Sequence, residues 1–205
     1  MMADGHRRSR RTARRRAQTI SRHGPLHRAD LKLSLAIGAL RRNRTARRLA
    51  EAGELADQPP MIAGCLSVIA AGMLSRERRL HQTGWRMLAA FSGATAVKTI
   101  GKKSIARTRP WKLDETGYYQ MRSGGPSGKD WESFPSGHTA ASVAVARAVG
   151  RDYPALEAPG LVAGVSAGML KVVKGDHYIG DVVAGFLLGL GVEALTHRAT
   201  RHWLK

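Results

Sequence analysis

Apolar residues concentrate in five stretches, 61–74, 87–97, 139–149, 161–173 and 182–195, each long enough for about three helical turns or more, and each predicts a helix. Ahead of them, residues 30–55 place Leu31, Leu33, Leu35, Ala36 and Leu40 beside Arg41, Arg42, Arg44, Arg47 and Arg48. That is the pattern of an amphipathic, cationic helix, which either lies on a membrane surface or packs on the core by its leucines. None of the five apolar stretches reaches the ~20 residues that span a ~30 Å hydrocarbon core. Arg147, Lys171 and Glu193 interrupt three of them, so length and composition leave a soluble bundle open. Glycine spacing changes the picture. Gly160, Gly164 and Gly168 recur every four residues, as do Gly185 and Gly189. This spacing lets helix backbones approach closely in lipid, whereas in a soluble helix each glycine costs about 1 kcal/mol relative to alanine. The expectation is an all-α, membrane-embedded bundle of about five to six helices.

The chain has 205 residues, enough for one domain with a real core. Its net charge of +19 is lopsided, because residues 1–50 hold fifteen Lys and Arg against Asp4 and Asp30. Residues 1–28 are Arg-rich, lack apolar periodicity and contain Gly24-Pro25, which predicts a disordered basic tail ahead of a helical domain at 29–205. So basic an arm suits a polyanion. No aromatic residue is interleaved with the arginines, so anionic lipid headgroups are expected as its partner and no specific nucleic acid. Ser9-Arg10-Arg11 is not followed closely by an apolar region and does not make an export signal. The single Cys65 excludes an intrachain disulfide.

Candidate chemistry lies in three places. Pro135-Ser136-Gly137-His138 precedes a small-residue helix, where unpaired backbone N–H groups suit an anion. Upstream, Lys102 is followed after six residues by Arg109-Pro110; downstream, Lys171 is followed after five residues by His177 and after three more by Asp181. On a helix beginning near Tyr178, His177 and Asp181 face one side, so a carboxylate hydrogen-bonded to one imidazole nitrogen would leave the other free to attack. The carboxylates Asp114, Glu115, Asp130 and Glu132 are not at metal-ligand spacing, and neither a metal nor a cofactor is required.

These motifs resemble those of the type 2 phosphatidic acid phosphatase superfamily: Lys, six residues, Arg-Pro; Pro-Ser-Gly-His; then Ser-Arg, five residues, His, three residues, Asp. The first two match fully. In the third, Leu170-Lys171 occupies the Ser-Arg place, and either Lys171 fills it with one compact charge in place of a planar fork or Lys174 assists. The resemblance implies a phosphatase in which His177 becomes phosphohistidine, Asp181 orients it and His138 protonates the leaving group. It also implies that Lys102, Arg109, Lys171, Ser136 and the Gly137 N–H hold the phosphoryl oxygens. The implied substrate is a phosphate monoester or diphosphate of an isoprenoid or glycerolipid. Vanadium-dependent haloperoxidases, whose vanadate mimics the phosphoryl transition state, are similar but usually longer. A non-enzymatic protein acting through the basic arm is the remaining alternative.

Residues 111–134 form a long connection with Trp111, Tyr118, Tyr119 and Trp131. An interfacial belt, a mobile flap and a loop with its own small core all have this composition. A multi-pass inner-membrane protein is expected, with its site facing outward, because that arrangement keeps the most basic segments on the cytoplasmic side and because it resembles the superfamily's common arrangement.

Overall fold

The computed structural model describes residues 2–52, 58–126 and 128–202. In chain order the elements are α1 (Met2–Ser21), α2 (Pro25–Gly38), α3 (Arg44–Ala52), α4 (Gln58–Leu74), α5 (Arg78–Ser104), β1 (Ile105–Arg107), α6 (Pro110–Thr116), β2 (Met121–Ser123), α7 (Gly137–Asp152), α8 (Glu157–Lys174) and α9 (Ile179–Thr200). The five apolar stretches fall within α4, α5, α7, α8 and α9, and the helices extend well beyond the apolar runs that predicted them. Helix α9 and the segment Pro154–Lys174 are long and apolar enough to cross a membrane, and α4 is a shorter apolar helix. The chain is not purely helical, because β1 and β2 pair antiparallel, with Ala106 opposite Arg122.

Alanine-rich α7 occupies the centre, with Ala140, Ala141, Val143, Ala144 and Ala148 buried. Its neighbours approach through the predicted glycines. A Cβ at Gly189 would lie 2.6 Å from the Ala140 carbonyl, one at Gly185 2.5 Å from the Ser136 carbonyl, and one at Gly164 3.0 Å from Ser142. Hydrogen at these positions is therefore what lets α8 and α9 close on α7. Outward-facing positions are apolar: Leu66, Met73, Ile100, Val162, Leu187 and Leu195 are all exposed. Glu193, which interrupts an apolar stretch, is buried but paired with Arg151 through two 3.0 Å bonds.

Helices α4 and α5 form a tight hairpin, with Gly84 of α5 packed against the Ile69 backbone of α4. The end of α5, the starts of α7 and α9, and the end of α8 meet at one end of the bundle. The α4–α5 turn and Asp152 lie at the other, joined there by an ion pair between Arg86 and Asp152.

Three expectations are corrected. The basic tail is helical: Ile20 is buried with Leu31, Leu113, Tyr119 and Tyr178, the Thr19 hydroxyl donates to the Gly117 carbonyl at 2.9 Å, and Arg16 pairs with Asp114. Arginine is a good helix former, so a few docking contacts suffice without apolar periodicity. The helix expected over 30–55 breaks at a 3-10 turn, Ala39–Arg42, after which the Asn43 side chain accepts from Thr45 N–H at 2.8 Å and starts α3; positions 53–55 lie outside the described residues. The arm also does not lie opposite the motif-bearing end. Arg16 and Arg41 both pair with Asp114 of α6, and Asp30 pairs with Arg107, so α1 and α2 dock on that end.

Gly189→Ala should lower the apparent melting temperature in detergent by an amount matching about 1–3 kcal/mol of overpacking. Gly191→Ala, where a Cβ would meet nothing within 4 Å, should leave the melting temperature unchanged or raise it. Equal shifts in a thermal-denaturation assay would contradict this packing.

Candidate active site

The three motifs are assembled by the short ribbon. On one edge of β1 lies β2; on the other, Arg107 N–H donates to the Trp131 carbonyl at 2.7 Å, Arg109 N–H to the Asp130 carbonyl at 3.0 Å, and Ser133 N–H to the Arg107 carbonyl at 3.2 Å. This second edge delivers the chain to Ser136, whose N–H donates to the Asp181 carbonyl at 3.1 Å, and α7 begins at Gly137. At the end of α8, Gly175 adopts the left-handed conformation (φ 82°), turning the chain so that its carbonyl accepts from Trp111 N–H at 3.1 Å. One residue on, Asp176 pairs with Arg109 at 2.9 Å. The first and third motifs are thus joined by a main-chain bond and an ion pair.

His177 is almost wholly buried, and its Nδ1 lies 2.6 Å from the Ser133 carbonyl. A carbonyl only accepts, so Nδ1 carries the proton and Nε2 of the neutral ring keeps its lone pair. The Asp181 carboxylate lies 3.8 Å from His177 Nδ1, within ion-pair range and beyond hydrogen-bond distance. Its oxygens instead accept from Ser133 Oγ at 2.5 Å, Tyr178 N–H at 2.8 Å and Arg107 at 2.5 Å. The carboxylate therefore holds the segment that holds the histidine. The His138 ring, on the first turn of α7, lies 6.3 Å from that of His177, with centroids compared.

The other expected residues reach the same place. Ser136 is buried, its hydroxyl 3.0 Å from that of Thr139. Lys102, near the end of α5, is within electrostatic reach of Arg109, Glu132 and Asp176. Gly164 faces Ser142 and Gly168 faces Thr139; continuing this antiparallel ladder brings Lys171 toward the start of α7, and it is buried where Lys174 is only half-buried. Arg109 Nε is buried with no protein hydrogen-bond partner among the described residues, which leaves a donor for an anion.

Four contributors were missed. Lys98 stands one turn before Lys102 on the same helix face, and its stem packs against Gly137 so closely that a Cβ there would collide with it. That i, i+4 pair was legible. Asp176 and Ser133 adjoin the motifs but carry no signal of their own. Arg107 is 3% exposed and fixed on every side, by Asp181, by Asp30 at 2.6 Å, by the Tyr119 hydroxyl at 3.0 Å, and by the Tyr178 ring 4.1 Å from Cζ. Burial opposes its charge, but Asp181, Tyr119 and Asp30 hold the guanidinium pKa above its ordinary value. Burial raises the Tyr119 phenol to about 12, so its hydroxyl stays protonated, and it shares a hydrogen bond with His27 Nε2 at 2.6 Å. Burial and then Arg107 push His27 down, which suits an accepting neutral ring.

The connection over 111–134 is a structured element with its own small core. Tyr118 and Trp131 meet edge to face at 5.9 Å, the Lys112 ammonium sits 4.3 Å from the centre of the Trp131 ring, and Tyr119 packs on Tyr178 at 5.8 Å. Among the described residues, no three His, Cys, Asp or Glu side chains gather as a metal site would need.

Residues 83–204 match the profile of the PAP2 superfamily. Over 108 residues the chain is 36% identical to a lipid A 1-phosphatase of Rhizobium johnstonii, covering 52% of this chain and 42% of that one. It is 32% identical to a lipid A 1-phosphatase of Rhizobium etli over 108 residues, 52% of this chain and 44% of that one. The aligned region is thus less than half the length of these curated relatives. No solved structure gives a significant match.

Lys98→Ala should weaken binding of orthovanadate, measured by calorimetry, by about tenfold or more, the size of one charge-assisted contact of about 1.5–3 kcal/mol. Unchanged affinity would remove Lys98 from the site.

Proposed function

We propose that this chain, which belongs to the PAP2 superfamily, is a membrane lipid phosphatase that cleaves a phosphate monoester or diphosphate of an isoprenoid or glycerolipid, or a lipid A phosphate, through a phosphohistidine. The observation that carries this reading is the His177 ring: Nδ1 is bonded at 2.6 Å to a backbone carbonyl, the His138 ring lies 6.3 Å away, and the preceding residue, Asp176, is ion-paired with Arg109 at 2.9 Å. Its Nε2 attacks phosphorus as the bond to the lipid oxygen breaks. His138 gives its proton to that oxygen, or to the departing phosphate of a diphosphate. Water then attacks the phosphohistidine, His138 takes its proton, and inorganic phosphate leaves. Lys98, Lys102, Arg109 and Lys171, with Ser136 and the N–H groups at the start of α7, hold the phosphoryl oxygens while charge redistributes. The lipid A 1-phosphatases among the relatives support a lipid-borne substrate.

The bundle is read as membrane-embedded, with α4, α5, α7, α8 and α9 crossing. Apolar side chains on its outer surface and small residues between its helices both support that placement. With α1 and α2 docked on the catalytic end, arm and site share one side of the membrane. The charge argument for an outward-facing site depended on separating them, and the docking removes that argument, while the resemblance to the superfamily's common arrangement is untouched. Fifteen Lys and Arg in residues 1–50, against Arg76, Arg78, Arg79 and Arg86 around the far turn, now favour a cytoplasmic-facing site, where the arm meets anionic headgroups.

Detergent-solubilised enzyme supplied with lipid phosphates and excess EDTA should release phosphate, and His177→Ala should lose both turnover and the acid-labile, base-stable label left by a radioactive phosphate donor. Full labelling in that variant would overturn the covalent route. His138→Ala should slow substrates with poor leaving groups most.

For orientation, single cysteines at Ser75 and Ser123 in a Cys65→Ala background are exposed to an impermeant thiol reagent on intact cells. Labelling at Ser75 and protection at Ser123 is expected; the reverse pattern would place the site outside.

A further inference from the structure

We propose that Asp30, on the N-terminal helix α2 and outside the region matched by the family, is a positioning residue of the active site, acting through Arg107 and the first turn of α9 on Asp181 and His177. The inference rests on the phosphatase reading above. One carboxylate oxygen of Asp30 pairs with Arg107 at 2.6 Å, and the other accepts from Gly180 N–H at 2.8 Å. Ser34, one turn further along α2, accepts from Ile179 N–H at 2.9 Å. With Tyr178 N–H donating to Asp181, the opening N–H groups of α9 are taken by two carboxylates and a hydroxyl. Two of these three partners come from α2, across about 150 residues of sequence.

The contact leads to the chemistry in short steps. Asp30 holds one side of the Arg107 guanidinium; the other side holds Asp181 at 2.5 Å. Asp181 holds Ser133 Oγ at 2.5 Å, and the Ser133 carbonyl holds His177 Nδ1 at 2.6 Å. Every link is a directed, short hydrogen bond among buried or nearly buried groups, so a change in the direction of the Arg107 fork is passed to the carboxylate instead of being absorbed by water. Gly180 leaves no slack, because a Cβ there would lie 2.8 Å from the Asp30 carboxylate. The helix start and the guanidinium thus sit on the same carboxylate, and its position sets both.

A purely structural Asp30 would stabilise the fold without being coupled to Asp181 in turnover. Full-length enzyme carrying Asp30→Asn keeps an acceptor for Gly180 N–H but turns an amide donor toward Arg107. Its kcat should fall at least tenfold with KM within twofold. In an Asp181→Asn background the same change should cost less than twofold further, because the path is already cut. Ser34→Ala, which leaves the ion pair intact, should show a smaller loss with the same non-additivity and serves if Asp30→Asn fails to fold. In enzyme labelled with 15N-histidine, the His177 ring signals, assigned with His177→Gln, should shift in both variants without substrate present. A kcat within twofold, equal losses in both backgrounds, or unmoved ring signals in folded variants would overturn the proposal. Wild-type enzyme inactive on every lipid phosphate would instead count against the phosphatase reading, and the ring signals would still decide the coupling.

Discussion

Burying the Arg107 guanidinium removes a full charge from water, at a cost of several kcal/mol that only complete pairing offsets, and the motif-bearing end of the bundle is arranged to complete that pairing. Asp181, Asp30 and Tyr119 take its three nitrogens and Tyr178 covers its face. These partners come from three separate stretches of the chain: α2, the residues entering β2, and the start of α9, where Tyr178 precedes Asp181 by three residues. Losing one partner of such a cluster costs about 3–5 kcal/mol, far more than any single apolar contact here. Segments that share no sequence neighbourhood are therefore held in one arrangement, and His177 takes its place within it through Ser133.

The transverse packing follows a different logic. Between α7 and its neighbours many contacts are glycine against backbone and alanine against alanine, which carry little energy singly but fix the helix spacing, with Phe91 and Val192 filling in beside them. Charges within the bundle are confined to its ends or paired across helices, as Glu193 is with Arg151. Large apolar side chains such as Leu66, Val162, Leu187 and Leu195 face outward, and the polar groups of the motif-bearing end are gathered where α5 and α8 finish and α7 and α9 begin.

The two helix starts at the motif-bearing end differ in what occupies their N–H groups. The start of α9 has its N–H groups occupied by Asp181, Ser34 and Asp30, so it orders the histidine that precedes it. At the start of α7, Ser136 makes no side-chain cap, and the lysine and arginine side chains converge beside it. In a phosphoryl-transfer site the first arrangement would fix the attacking nitrogen and the second would receive the charged oxygens.

By itself the sequence determined the five core helices, the glycines that let them approach, and the three motifs with their order, because apolar periodicity and short-range spacing are local properties of the chain. Lys98 was equally legible, one turn from Lys102. What only the tertiary structure decided is how the ends are tied. Asp30 and Arg107 are 77 residues apart, and no spacing rule connects them. The arginine-rich arm reads as a tail because its helix docks through few side chains, Ile20, Thr19 and Arg16 among them, with solvated arginines between. Likewise Asp181 stands four residues from His177, which suggested a direct bond. In the structure a buried guanidinium and a serine hydroxyl bond that carboxylate at 2.5 Å, and the imidazole Nδ1 lies 2.6 Å from a backbone carbonyl, partners that the local spacing does not reveal.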